Sequence, residues 1–92
     1  MVVCLSGELD FTAKDRLEAD FEAAAAQPGD VELELSGVTY ADSTALGLLV
    51  KLHNRLRHQG RTIRLLSPSP QMRKLLNYAG LDRAFEIVDV VG

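Results

Sequence analysis

The sequence predicts an α/β fold: one domain with a mainly parallel sheet of about four strands, packed with helices. Three observations predict it. Apolar residues recur every second position in some stretches and every three to four in others, and the two kinds of stretch alternate. Breakers separate them, as in "QPGD" (27–30) and "QGR" (59–61). A length of 92 residues suffices for one small core and not for two, so residues 1–92 form a single domain.

The elements follow in order. "VVCLS" (2–6) is an apolar run stopped by Gly7 and reads as a buried strand. "GELD" leads into "FTAKDRLEADFEAAAA" (11–26), where Leu17, Phe21, Ala24 and Ala25 share one helical face. Asp10 or Thr12 can cap this helix, and Thr12-x-x-Asp15 resembles a capping box. Pro28 and Gly29 end it. "DVELELSG" (30–37) sets Val31, Leu33 and Leu35 against Glu32, Glu34 and Ser36, the pattern of a strand with one polar face.

"VTYADS" passes into a second helix over roughly 44–58, with Leu46, Leu49, Val50, His53 and Leu56 at the 3.6-residue period. Ala45, Leu48 and Leu52 widen that stripe, as expected of a helix packed broadly on a sheet. Gly60 is well placed to end it. "TIRLLS" (62–67) is a strand, and "PSPQMRKLLNYAG" (68–80) a helix carrying Met72, Leu75, Leu76 and Ala79 on one face. "FEIVDVV" (85–91) is a final strand-like run. Right-handed crossovers place consecutive strands side by side, with functional loops at their carboxyl ends. Two such loops, Gly7 to Thr12 and Thr39 to Thr44, each run from a strand end into a helix start and belong on the same edge.

A net charge of −3 gives no global attraction to nucleic acid or anionic lipid, so neither direct nucleic-acid binding nor membrane insertion is expected. The basic stretch "KLHNRLRHQGR" (51–61), with Arg55, Arg57 and Arg61, reads as a solvated face. Cys4 is the single cysteine, lies in an apolar run and reads as a small buried hydrophobe. The start lacks the basic and long apolar regions of a signal peptide, and no apolar run approaches the roughly 20 residues that span a bilayer. A cytoplasmic location is the expectation.

Catalysis finds little support. The only histidines, His53 and His58, follow Ser43 by ten and fifteen residues on the same helix. That is roughly 15 Å or more at 1.5 Å per residue, beyond reach of a Ser–His pair. Cys4, His53 and His58 show no metal-ligand spacing, and the phosphate-loop signatures are absent, so no metal or cofactor is expected. A binding module fits better than an enzyme. In "TYADSTALGLLVKL" (39–52), Asp42, Ser43 and Thr44 stand directly before the helix. Such residues are common N-caps, and a hydroxyl there is also well placed to carry a phosphate.

"LSGELDFTA" (5–13), "LELSGVTYADSTALGLLVKL" (33–52) and "LLSPSPQMRKLLNYAGLDRAFEI" (65–87), taken together in this order, resemble the STAS domain, and more narrowly the bacterial anti-sigma factor antagonists. The resemblance covers essentially the whole chain. It implies a protein that binds an anti-sigma factor, itself a serine kinase, and so frees sigma factor. Phosphorylation of the serine in "DST", here Ser43, blocks that binding, and a serine phosphatase restores it. Asp10, Asp42, Ser43, Thr44 and Leu46 then contribute to the partner-facing surface.

The match departs in two places. Relatives usually have a further strand before the one containing "VVCLS": either the sheet lacks that N-terminal edge strand, or the start of the sequence falls short of it. An edge left unprotected would be a route to self-association, so a weak homodimer joins the expected partners. Ala45 stands where many relatives have glycine. Another branch of the fold, a small subunit beside an ATPase in phospholipid-transport complexes, is the alternative; Thr44 is compatible with it.

Overall fold

The computed structural model describes residues 1–90. Four strands, β1 (Val2–Leu9), β2 (Val31–Ala41), β3 (Ile63–Leu66) and β4 (Glu86–Val88), alternate with three helices, α1 (Lys14–Ala26), α2 (Ser43–His58) and α3 (Pro70–Tyr78). The sheet order is β1-β2-β3-β4, and each neighbouring pair is parallel. Strands added in sequence order by right-handed crossovers bring every helix to the same face of the sheet. Burial agrees: Leu5, Leu33, Leu35, Ile63 and Leu65 join Leu17, Leu49, Leu56, Met72 and Leu76 in one core cluster.

The helices bury the faces their periodicity marks. Leu17, Phe21, Ala24 and Ala25 are the buried residues of α1, and Ala45, Leu46, Leu49, Leu52 and Leu56 those of α2. Val50, Leu48 and His53 stay half-buried at the margin of that stripe. In α3, Met72 and Leu76 are buried, whereas Ala79 lies past the helix end and is exposed. Gly60 and Gly80 end α2 and α3 with φ of 68° and 73°, a left-handed conformation that glycine adopts without steric cost.

Several expectations are corrected. Cys4 is exposed, because β1 alternates and turns Leu5 and Leu9 inward while Cys4 points to the uncovered face of the sheet. Gly7 does not stop β1; the strand passes through it at φ +77° and continues to Leu9. β2 also outruns its expected end. Its partners step from Glu34 to Gly37 while β1 steps from Cys4 to Ser6, and from Val38 to Tyr40 while β1 steps from Gly7 to Glu8. Those extra residues in β2 break the alternation that marks a strand in the sequence. The last strand closes at Val88, and position 91 lies outside the described residues.

The basic stretch is not simply solvated. Arg61 donates to three carbonyls at the end of α1: Ala25 at 2.9 Å, Gly29 at 2.6 Å, and Gln27. Its charge therefore sits on the negative end of a helix dipole and satisfies orphan carbonyls there. Arg55 pairs with Glu22 of α1 at 2.7 Å. Arg57 is exposed, as expected.

Candidate functional site

The two loops singled out in the sequence start side by side. Leu9 and Ala41, the last residues of β1 and β2, are register partners, and the Asp42 N–H donates to the Leu9 carbonyl at 3.3 Å. Each strand is followed at once by an aspartate in extended conformation, Asp10 at φ −110°, ψ −171° and Asp42 at φ −118°, ψ −174°. Both act as caps. Asp42 Oδ1 accepts from the Thr44 N–H at 2.9 Å and the Ala45 N–H at 3.2 Å, covering two donors that the start of α2 leaves without intrahelical partners.

Asp10 Oδ1 accepts from the Thr12 hydroxyl at 2.5 Å and the Thr12 N–H at 3.0 Å. The Thr12 hydroxyl, helped by backbone N–H groups, holds the Asp10 carboxyl below its ordinary range. What Asp10 caps is a short 3-10 turn, Phe11–Ala13, that precedes α1. Thr12 is therefore bound to the cap and is not itself the cap. The capping box with Asp15 does not form, since the residue at the start of α1 is Ala13, which makes no side-chain cap.

With Asp42 as the cap, the Ser43 hydroxyl is released from that duty. Ser43 is the first residue of α2 and is exposed. Thr44 is half-buried. Leu46 is 8% exposed and belongs to the core cluster, because its place in α2 turns it toward the sheet. Its neighbours Gly47, exposed, and Leu48, half-buried, are the positions of that turn nearer solvent. The structure thus brings Asp10, Asp42, Ser43 and Thr44 to one edge and sets Leu46 behind them.

Three residues of this edge escaped the sequence reading. Phe11, 72% exposed, follows Asp10, and Tyr40, 48% exposed, precedes Ala41 and Asp42. Tyr40 pairs with Glu8 across the sheet. Two large exposed aromatics thus stand within two residues of the capping aspartates, where an apolar side chain gains nothing from the core. The available signal was placement: Phe11 lies between two capping-type residues, outside the apolar stripe of α1. Gln71 of α3 is the third. Its Nε2 donates to the Ala41 carbonyl at 3.3 Å, bracing the loop from the far side, and its Oε1 is buried without a partner.

Chemically, the edge offers an accessible hydroxyl at the positive end of a helix, on an edge that also carries the two capping carboxylates. His53 packs against the Phe85 ring at a centroid distance of 4.8 Å, away from any role as a base for Ser43. Among the described residues no group of three or more His, Cys, Asp or Glu could hold a metal ion, and no helix is long and apolar enough to cross a membrane. A groove of about 120 Å³ lies between α1 and α2, floored by Phe21, Leu48 and Leu52 and edged by Glu18, Glu22, Lys51 and Arg55.

Comparison with known proteins agrees with this fold. The chain is 38% identical over 84 residues to the anti-sigma F factor antagonist of Lysinibacillus sphaericus, covering 88% of this chain and 71% of that protein. It is 30% identical over 87 residues to a STAS-domain containing protein of Pseudomonas aeruginosa, covering 95% and 86% of the two chains. Among solved structures it resembles the antagonist SpoIIAA. The unphosphorylated form gives a TM-score of 0.75 at 26% identity, covering 98% of this chain and 79% of that one. The phosphorylated form, from Bacillus, gives 0.74 at 29% identity, covering 98% and 81%. The family profile described as "Mlab, STAS domain" matches residues 1–91. A four-stranded parallel sheet, helices on one face and a match along nearly the whole chain lead to one assignment: the protein belongs to the STAS domain family.

Proposed function

We propose that this domain is an anti-sigma factor antagonist whose binding is switched by phosphorylation of Ser43. The observation that carries the reading is the division of labour at the start of α2: Asp42 caps the helix, and Ser43 is left exposed at its first position. Unmodified, the edge presents a small hydroxyl together with the exposed Phe11 and Tyr40 rings and the Asp10 and Asp42 carboxylates, and it binds an anti-sigma factor that is also a serine kinase. Sequestering that factor frees sigma. A phosphate on Ser43 adds roughly −1.5 to −2 charges and three acceptor oxygens. The helix N-terminus accommodates that charge, worth about 0.3–1 kcal/mol at an exposed site. The fold therefore persists and the partner meets bulk and negative charge, until a serine phosphatase removes them. The similarity to SpoIIAA in both its phosphorylated and unphosphorylated forms supports a switch that leaves the fold in place.

Thr44 is a poorer acceptor, being half-buried with its amide in the Asp42 cap. Leu48 replaces Leu46 as the aliphatic residue of α2 available to a partner. The test is affinity capture from host lysate with wild type and Ser43→Asp, read by mass spectrometry. A small ATP-binding kinase recovered by wild type alone is the expected result.

A second reading is left open by the family profile, whose description, "Mlab, STAS domain", does not mention an antagonist. In it the domain is a constitutive subunit beside an ATPase of a phospholipid-transport complex. Equal recovery of a transport ATPase by both baits would establish that reading and dismiss the switch.

A further inference from the structure

The groove between α1 and α2 has an apolar floor and two rims of opposite charge. Phe21, Leu48 and Leu52 form the floor of a space of about 120 Å³; Glu18 and Glu22 stand on the α1 side, Lys51 and Arg55 on the α2 side. Each rim spaces its two charges by four residues, roughly 6 Å or about one helical turn. Both helices follow strands of the same parallel sheet, so they run in one direction and the two rows lie side by side. The Arg55 guanidinium, with Lys51 beside it, holds the Glu22 carboxyl below its ordinary range. These rim charges face solvent: the side chains of Glu18, Glu22 and Arg55 are 43%, 70% and 44% exposed. Their ion pairs, Lys14 to Glu18 at 3.1 Å and Arg55 to Glu22 at 2.7 Å, are of the surface kind that contributes little to stability. A partner's charges can replace them at small cost.

We infer that this groove docks an amphipathic helix of a partner protein, with an aliphatic side chain on the Phe21, Leu48 and Leu52 floor, a basic flank over α1 and an acidic flank over α2. The charge rows select a helix. A helix carries charges on both sides of an apolar stripe at the same four-residue period, which is the way such a segment fills a groove. An extended segment presents one row of side chains to the surface and leaves its main-chain groups without partners. Opposite rims also fix the direction of the guest, because reversing the helix exchanges its flanks and brings like charges together. Leu48 lies five residues beyond Ser43, about 7.5 Å along α2, so the near end of the groove opens beside the switch. The chemistry of the groove is nonetheless independent of Ser43, and the inference goes beyond the phosphorylation reading.

Three synthetic helices of about 18 residues, long enough to be helical in water, test this against the whole chain labelled for nuclear magnetic resonance. Each has a leucine stripe on an alanine background, flanked by lysine on one side and glutamate on the other, by lysine on both, or by glutamate on both. The mixed peptide should bind about tenfold or more tighter than either single-sign peptide, with amide shifts centred on 18–22 and 48–55. Leu48→Ala should weaken it severalfold. In Glu18→Lys/Glu22→Lys, where both rims are basic, the preference should pass to the all-glutamate peptide. Circular dichroism confirms that each variant is folded, and Ser43 is intact in all of them, so the outcome is separate from that of Ser43→Asp. No binding of the mixed peptide at millimolar concentration, equal affinity for the three, shifts centred elsewhere, or a preference unmoved by the charge reversal overturns the proposal. Shifts at the groove on concentrating the chain alone would assign it to a second copy and overturn it as well.

Discussion

At the residue scale, the start of α2 separates two roles that the sequence left superimposed. "DST" could cap with any of its three oxygens, and only the backbone conformation assigns the cap to Asp42. Asp42→Ala should therefore lower unfolding free energy by about 1 kcal/mol, the usual cost of a lost N-cap. Ser43→Ala should change it by less than about 0.5 kcal/mol, as expected of an exposed residue outside any such feature. Urea denaturation of the two variants checks the contrast; equal losses would return the capping role to Ser43. Ser43→Asp belongs to the same scale. It should preserve the far-ultraviolet circular dichroism of the wild type while abolishing capture of the kinase partner. Phe11 enters here as well: Phe11→Ala should weaken that capture with little effect on stability, because a ring that is 72% exposed contributes little to the core.

At the scale of elements, α1 and α2 are joined by more than their apolar faces. Arg61, just beyond α2, reaches the Ala25, Gln27 and Gly29 carbonyls and closes the end of α1, which stops at "QPG" without a basic residue of its own in its last turn. Arg61→Ala should cost roughly 1–3 kcal/mol by exposing these carbonyls without a charged donor, whereas Arg57→Ala should cost less than about 0.5 kcal/mol. Thermal unfolding of the pair distinguishes a docked arginine from a solvated one. The helices' buried faces were legible from their 3.6-residue spacing. The role of Arg61 was not, because carbonyls about 35 positions earlier leave no mark in the local pattern. Leu56, fully buried where α2 meets the core, sets the reference: Leu56→Ala should cost about 2–5 kcal/mol.

For the whole molecule, several carboxylates share one direction of shift. The Thr12 hydroxyl lowers Asp10, the Arg55 guanidinium lowers Glu22, the Thr62 N–H lowers Asp30 and the Ser36 hydroxyl lowers Glu34. A carboxyl whose folded pKa lies below its unfolded value contributes stability above the unfolded value and loses it as pH falls through the folded one. The midpoint in urea should thus be flat near neutrality and fall below about pH 4, where these groups take up protons in the unfolded chain first. Asp10→Asn should shallow that acid limb. Salt should weaken the Glu22 contribution most, since its partner is an exposed ion pair, and leave the Asp10 contribution nearly unchanged.

By itself the sequence determined the order of strands and helices, the apolar face of each helix, and the two loops that share an edge. These are local properties: periodicity, breakers and capping chemistry act over a few neighbouring residues. The family match reinforced them because its motifs sit at those same loops. Tertiary structure alone decided that β2 runs on to Ala41 through its extra residues, that Cys4 faces out, and that Asp42 rather than Ser43 caps α2. It alone also left the Phe11 and Tyr40 rings exposed close to the two capping aspartates. The physical reason is common to all of these. Register, the sense in which a side chain leaves the sheet, and the neighbours across a strand are fixed by hydrogen bonds and packing between residues about thirty positions apart, and no local pattern encodes them.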